Sequence, residues 1–240
     1  MVLAETKNQG LRIEEGRTKL ISTHNKGDLV FLHPVYGPNT YANVQGQIEK
    51  DGLVAPTLAE TASLVYSAFN SDNKYSQEIQ KLMKDRWLWG FTGILYTPKN
   101  GVYMQPHPEI RNGMPFMDES ELEKKLDANH PSYDPSVRNI PFGFKTGKMS
   151  VLELAKNPFV IALAGKEGAE KLADVADKYR NKPYLYSFNS VKEPLTRVSA
   201  LNPSWSPYVQ GLRVFGNIHG NYIVGCAFGV QKTGEASRIK

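Results

Sequence analysis

Two His-Pro dipeptides carry the side chains best suited to catalysis. His33 precedes Pro34, and His107 precedes Pro108 and Glu109. Imidazole and carboxylate groups bind zinc and act as general acids and bases, so one hypothesis is a His- or metal-dependent hydrolase that uses His33, His107 and Glu109. The alternative is structural, because proline ends a strand and restricts the residue before it. We favour the structural alternative, since no two histidines have the i, i+4 spacing that places two ligands on one helix face.

A segment near the end of the chain, residues 197–230, has the composition of a recognition surface. Aromatic rings with few rotatable bonds are mixed there with short hydrogen-bonding side chains, as in antibody binding loops. The residues with this character are Asn202, Ser204, Trp205, Ser206, Tyr208, Arg213, Phe215, Asn217, His219, Asn221 and Tyr222. A polar loop above a few packed aromatic rings has the same composition, so composition leaves both interpretations open.

Alternation along residues 212–217 predicts a strand that positions part of this set. Successive side chains of a strand point to opposite faces of its sheet. With Leu212 and Val214 facing the core, Arg213, Phe215 and Asn217 point outward together. The buried residues of this strand would therefore act as a framework that holds the exposed, chemically different side chains in place.

Composition predicts a single folded domain without a metal or a disulfide framework. The 240 residues are 40% hydrophobic and 22% charged, and the one cysteine, Cys226, excludes the usual cysteine zinc sites. The net charge of +5 comes from 29 basic and 24 acidic residues that are interleaved, which is not typical of a nucleic-acid-binding protein. No signal peptide or membrane span is predicted, so a cytoplasmic, virion-associated or cell-surface-associated location remains open. We expect no cofactor.

The first half of the chain predicts helices set between hairpins. We expect a flexible segment 1–16, a domain over residues 17–240, and a hairpin in which Gly27 takes a positive φ. Residues 34–56 resemble a surface loop. Capping boxes and apolar spacing predict helices, and Asn100-Gly101 predicts a tight turn between two strands. The predicted helices cover residues 57–69, 74–86, 119–126 and the segment after Ser150, and the predicted hairpin covers 87–96 and 102–104.

The second half predicts an insert, a helix and then a sheet. Residues 130–148 form the insert, 159–163 are compatible with strand or helix, and 169–179 with a helix. Tyr184 and Tyr186 are expected on one buried strand face. Runs of β-type residues follow at 184–188, 195–200, 212–215 and 223–230. Without βαβ alternation, this order favours an α+β fold with a mixed, mainly antiparallel sheet.

Three segments of this last third resemble the variable (target) proteins of diversity-generating retroelements. They are Arg197-Val198-Ser199-Ala200-Leu201, Leu212-Arg213-Val214-Phe215-Gly216-Asn217 and Gly225-Cys226-Ala227-Phe228-Gly229-Val230. In that family an error-prone reverse transcriptase randomises adenines near the 3′ end of the gene, and a C-type-lectin-like fold with two helices and inserts displays the result. The chain is most similar to the variable proteins of archaea and archaeal viruses. The Gly-Gly-Ser-Trp and Gly-Phe-Arg-Leu motifs of the family are absent.

The resemblance implies a binding protein that is not an enzyme. Its hypervariable region would cover about 197–230, and its ligand would be a protein or another macromolecule, without nucleic-acid binding or membrane insertion. The implied ligand-contacting, variable positions are Asn202, Ser204, Ser206, Tyr208, Arg213, Phe215, Asn217, His219, Asn221 and Tyr222. Calcium-ligand motifs are lacking, so calcium-dependent carbohydrate binding is not implied.

Overall fold

The structure, a computed structural model, describes residues 12–14, 19–25, 27–203 and 211–231. These residues form six helices and thirteen strands. The helices are α1 (Tyr41–Lys50), α2 (Leu58–Phe69), α3 (Lys74–Asp85), α4 (Glu119–Leu126), α5 (Val151–Lys156) and α6 (Pro158–Asp177). The strands are β1 (Arg12–Glu14), β2 (Lys19–His24), β3 (Gly27–Asn39), β4 (Trp87–Thr97), β5 (Gly101–Pro106), β6 (Ile110–Arg111), β7 (Met114–Pro115), β8 (Arg138–Ile140), β9 (Gly147–Lys148), β10 (Tyr184–Tyr186), β11 (Leu195–Pro203), β12 (Leu212–Ile218) and β13 (Gly225–Val230).

Eleven of the described strands form one large sheet. Its main path runs β1-β2-β3-β13-β4-β11-β12-β10-β9, with β5 paired to β4 and β8 paired to β5. The pairs are antiparallel except β13 with β4 and β10 with β12, which are parallel. The predicted α+β class with a mainly antiparallel sheet is therefore confirmed. Strand β13 lies inside the sheet, between β3 and β4.

Two hydrophobic cores lie on opposite faces of this sheet. Leu88 of β4 packs in a cluster with Leu58 of α2 and Val160 of α6. The next residue, Trp89, packs in a second cluster with Tyr41 of α1. Because side chains alternate along a strand, α2 and α6 cover one face and α1 covers part of the other. Phe215 is only partly buried at the edge of the second cluster. The face of the sheet around Phe215 is therefore open to solvent.

Local capping chemistry explains where the predicted helices begin. Thr57 accepts a hydrogen bond from the Glu60 amide while the Glu60 carboxylate accepts one from the Thr57 amide, which forms a capping box at α2. Ser150 and Glu153 repeat this arrangement at α5. The Asp118 side chain accepts from the Glu121 amide at α4. All three helix starts were predicted and are confirmed.

The two predicted hairpins form, although one uses a different residue at its turn. Gly101 has a φ of +82° between β4 and β5, as the Asn100-Gly101 pair predicts. Between β2 and β3, Asn25 adopts the positive φ of +51°, and Gly27 is the first residue of β3. The expectation that Gly27 supplies the positive φ was wrong, because asparagine also tolerates this region.

The segment expected to be a surface loop, 34–56, is largely regular structure. Strand β3 continues through His33 and Pro34 to Asn39, so this His-Pro pair does not end a strand. The ladder to β13 is irregular over this part of β3, and prolines are tolerated in strands at such irregularities. Helix α1 follows at once, and its buried residues Tyr41, Val44 and Ile48 pack in the second core.

Further differences concern the first residues and the insert. Strand β1 lies within the segment 1–16 that was expected to be flexible, and pairs with β2. The insert 130–148 contributes β8 and β9 to the sheet. The ambiguous residues 159–163 are helical and continue as α6, which is interrupted at Gly165, where φ is +72°. Among the described helices, none is long and apolar enough to cross a membrane.

Candidate functional site

Strand β12 separates framework side chains from exposed ones, as its alternation predicts. Leu212 and Val214 are buried, whereas Arg213, Phe215 and Asn217 on the other face are partly exposed. The buried set packs against α2 and α6 in the first core. The predicted orientation of Arg213, Phe215 and Asn217 is confirmed.

The turn after β12 extends this exposed surface. His219, Asn221 and Tyr222 are exposed, and the Tyr222 side chain reaches 51% exposure. Gly220 between them is buried, and its carbonyl accepts a hydrogen bond of 2.9 Å from the Tyr41 amide of α1. The turn is therefore attached to the rest of the fold at its centre while its side chains face solvent.

Four of the predicted ligand-contacting residues do not belong to the exposed surface that the structure describes. Asn202 is 1% exposed, and its amide Nδ2 donates to the Arg86 carbonyl at 3.2 Å. The expected exposure of Asn202 was therefore wrong. Ser204, Ser206 and Tyr208 lie outside the described residues.

Five aromatic side chains form a continuous row across the open part of the sheet. We call this set the aromatic row; in spatial order it consists of Tyr184, Tyr186, Phe215, Trp87 and Tyr222. The successive distances between ring centroids are 4.2, 4.6, 5.6 and 5.1 Å. Tyr186 and Phe215 stack almost parallel, at 8°. The row connects the start of β12 to the turn that follows it.

A basic pocket lies at the Tyr184 end of the aromatic row. Its volume is about 270 Å³, and we define it by its lining residues Lys148, Asn181, Lys182, Tyr184, Tyr186, Gly211, Leu212 and Arg213. Three of these carry positive charge and none carries negative charge. The Arg213 guanidinium lies 5.7 Å from the centre of the Tyr186 ring. Cations and rings thus share one small cavity.

The sequence indicated the residues of β12 and Tyr222 in the turn after it, but it missed Trp87, Tyr184, Tyr186 and the lysines of the pocket. Tyr184 and Tyr186 were expected on a buried strand face, yet Leu185 between them is the buried residue and Tyr184 is exposed. The reason is the parallel pairing of β10 with β12, which sets Leu185 opposite buried Val214. Alternation was visible in the sequence; which face it buries depends on that long-range pairing.

The residues of the hydrolase hypothesis do not form a metal-binding group. Within the described ranges, no three His, Cys, Asp or Glu side chains are arranged to hold a metal ion. The His33 Nε2 lies 3.0 Å from Glu78, and Glu109 forms two hydrogen bonds of 2.8 Å with Arg111. The Arg111 hydrogen bonds lower the pKa of Glu109, so this carboxylate is an ionised partner of arginine.

A second polar cluster brings a serine, a lysine and a histidine together on the helical side. The Ser63 Oγ lies 2.9 Å from both the Lys171 Nζ and the His24 Nδ1. Lys171 also donates to the Thr23 carbonyl and to Glu167, each at 2.6 Å. The ammonium group thus has three acceptors, one for each of its three protons. Ser63 is 1% exposed. The hydrogen bonds of this buried cluster join the end of β2 to α2 and α6.

The one cysteine has no features of a nucleophile. Cys226 of β13 is 2% exposed in the first core. Burial raises the pKa of its thiol to about 11, against a smaller opposing effect of Arg86. The thiol is therefore protonated near neutral pH and acts as a small hydrophobic side chain.

Comparisons with known proteins add no relationship, since no family model, no curated protein and no solved structure matches the chain.

Proposed function

We propose that this chain is a ligand-binding protein of the receptor or adhesion type, without catalytic activity. It would display a hypervariable surface that a retroelement diversifies, on a C-type-lectin-like α+β scaffold. The observation that carries the proposal is the division of β12 into buried framework residues and exposed, chemically mixed ones. The exposed turn that holds His219, Asn221 and Tyr222 adds to the same surface.

This arrangement meets the physical requirement for a surface that tolerates many sequences. Exposed side chains without packing contacts contribute little to folding, and substitutions there typically change the free energy of unfolding by about 0.5 kcal/mol or less. The backbone stays fixed because β12 pairs with β11 on one side and β10 on the other. Diversity can therefore alter binding while the fold is kept.

Affinity in this proposal comes from a few large anchors near the centre of the surface. Tryptophan, tyrosine and arginine are the residue types that most often dominate binding interfaces. Trp87, Tyr222 and Arg213 supply all three types along the aromatic row and the basic pocket. The ligand is a protein or another macromolecule, such as one on a cell or virus surface.

Sequencing many natural copies of the gene tests the proposal. We expect differences to be concentrated in codons 202–224, with a near-identical template repeat and a reverse transcriptase gene nearby. Codons for the exposed positions Arg213, Phe215 and Asn217 should vary, and those for buried Leu212 and Val214 should not. The codons of α2 are the internal control. Variation spread evenly over the gene contradicts the proposal.

A further inference from the structure

The positive charge of the basic pocket indicates the charge of the ligand that it binds. Lys148, Lys182 and Arg213 line it without any carboxylate. Within the described chain, neither Lys148 nor Lys182 forms an ion pair. A cavity lined by charges of one sign raises the local concentration of opposite charges. Its complement is therefore an anionic group.

The two central rings of the aromatic row are flanked by other rings. Phe215 stacks between Tyr186 at 4.6 Å and Trp87 at 5.6 Å. Tyr186 in turn lies between Phe215 and Tyr184. Each of the two central rings thus has two aromatic neighbours, which leave less of its faces free. Ring edges carry partial positive charge, so an anion is attracted where it meets the edges of these rings.

The stacking of the central rings on one another favours a carboxylate ligand over a nucleic acid. Single-stranded nucleic acids bind through bases that stack on free aromatic faces. Tyr186 and Phe215 stack on each other, and each has one further aromatic neighbour, so a base has less ring face on which to stack. Carboxylate oxygens, in contrast, interact well with ring edges, lysine ammonium groups and a guanidinium. The geometry is that of a site for acidic side chains.

The size of the pocket indicates what part of the ligand enters it. Pockets for whole small molecules have volumes of about 300 Å³ or more, and this one has about 270 Å³. It is large enough for one or two side chains. The aromatic row then provides a surface along which the rest of an extended segment can lie.

We propose that the basic pocket and the aromatic row bind an acidic peptide segment of a partner protein, with a Glu or Asp side chain in the pocket between Lys148, Lys182 and Arg213. This inference rests on the proposed function, since it names the ligand class of the same surface. The backbone and apolar side chains of the segment would lie along the row toward Tyr222.

Fluorescence anisotropy with labelled peptides tests the inference on the full chain. The probes are an oligoglutamate peptide, a neutral oligoglutamine peptide of equal length and an oligothymidine of equal charge. We expect oligoglutamate to bind and oligoglutamine not to bind. Lys182→Glu and Lys148→Glu should each weaken oligoglutamate binding by about tenfold or more, because each replaces an attraction by a repulsion.

Lys166→Glu is the matched control. It makes the same change of charge at an exposed lysine of α6, outside the pocket, and should leave oligoglutamate affinity unchanged. Phe215→Leu keeps an apolar side chain but removes the ring, so it should weaken binding by roughly threefold. Far-UV circular dichroism of each variant verifies that the fold is retained.

The outcomes separate the inference from its alternatives. Absence of oligoglutamate binding overturns it, as does tighter binding of oligothymidine, which would indicate a nucleic-acid surface. An equal loss in Lys166→Glu overturns it as well, because the attraction would then come from overall charge. The gene-copy experiment is independent: codons that vary at 202–224 without oligoglutamate binding leave the proposed function in place and remove only the acidic ligand.

Discussion

His24 is a part-buried titratable side chain whose environment links pH to stability. Its Nδ1 lies 2.9 Å from Ser63. Burial lowers the pKa of His24 below 6.5; Lys171 acts in the same direction, while Glu60 and Glu167 oppose it. The folded chain therefore favours the neutral imidazole. The unfolded chain protonates this histidine at a higher pH, so unfolding takes up a proton in acid.

We predict that the contribution of His24 to the free energy of unfolding is complete above about pH 6.5 and decreases as the pH falls below this value. His24→Gln removes the titration and keeps a hydrogen-bonding side chain, so its stability should depend less on pH. Urea unfolding at several pH values measures both slopes. Equal slopes in the two proteins would contradict the assignment.

At the level of single strands, β12 gives a direct test of the division between framework and exposed residues. Asn217 is partly exposed and Leu212 is buried at the other end of the same strand. Asn217→Ser should change the free energy of unfolding by about 0.5 kcal/mol or less. Leu212→Ala should lower it by roughly 2–5 kcal/mol, because it leaves a cavity in the core. Denaturant titration compares the two variants.

Similar losses in both variants would show that the outward side of β12 is also framework. Arg213 and Phe215 are less suitable for this comparison, because both contact the Tyr186 ring. Replacing either residue would remove contacts that stabilise the fold as well as an exposed side chain, and one measurement could not separate the two effects. Asn217 is the better test position.

The elements that the sequence predicted are those whose signals are local. The caps at Thr57, Asp118 and Ser150 and the turn at Gly101 depend on residues within a few positions of one another. Helix α1 has weaker local signals: the Thr40 cap, which accepts from the Asn43 amide, and buried residues spaced along one face. We missed it because Gly and Pro residues dominate the preceding segment.

Most of the candidate site depends on contacts between distant segments, which explains why only part of it was predicted. Alternation placed Arg213 and Phe215 correctly. Trp87 joins them from β4 and Tyr186 joins them from β10, and no spacing rule connects these positions. Asn202 differs from the prediction because its side chain packs against a distant segment and donates to the Arg86 carbonyl, a contact that no local pattern indicates.

At the scale of the whole molecule, the large sheet joins strands from the beginning and the end of the chain in one folded unit. Strand β13 pairs with β3 and β4, and all six of its residues are buried. A Cβ atom at Gly225 would overlap the indole ring of Trp89. Because this contact lies where the three strands meet, damage there should destabilise the entire fold.

We predict that Gly225→Ala lowers the free energy of unfolding by about 1–3 kcal/mol or more. Unfolding curves from far-UV circular dichroism and from tryptophan fluorescence should shift together, as expected for one cooperative unit. Gly46→Ala is the control: a Cβ there has no atom within 4 Å, and replacing glycine inside α1 should stabilise by about 0.5–1 kcal/mol. Two separated transitions would contradict a single unit.

In the proposed function codons 202–224 are rewritten, and strand β13 is encoded directly after them. A premature stop codon or a shifted reading frame within codons 202–224 removes this strand, and β3 and β4 then lose the partner that lies between them. Such a chain cannot complete its sheet. Folding itself would thus act as a quality filter, so that only copies with an intact reading frame display a surface at all.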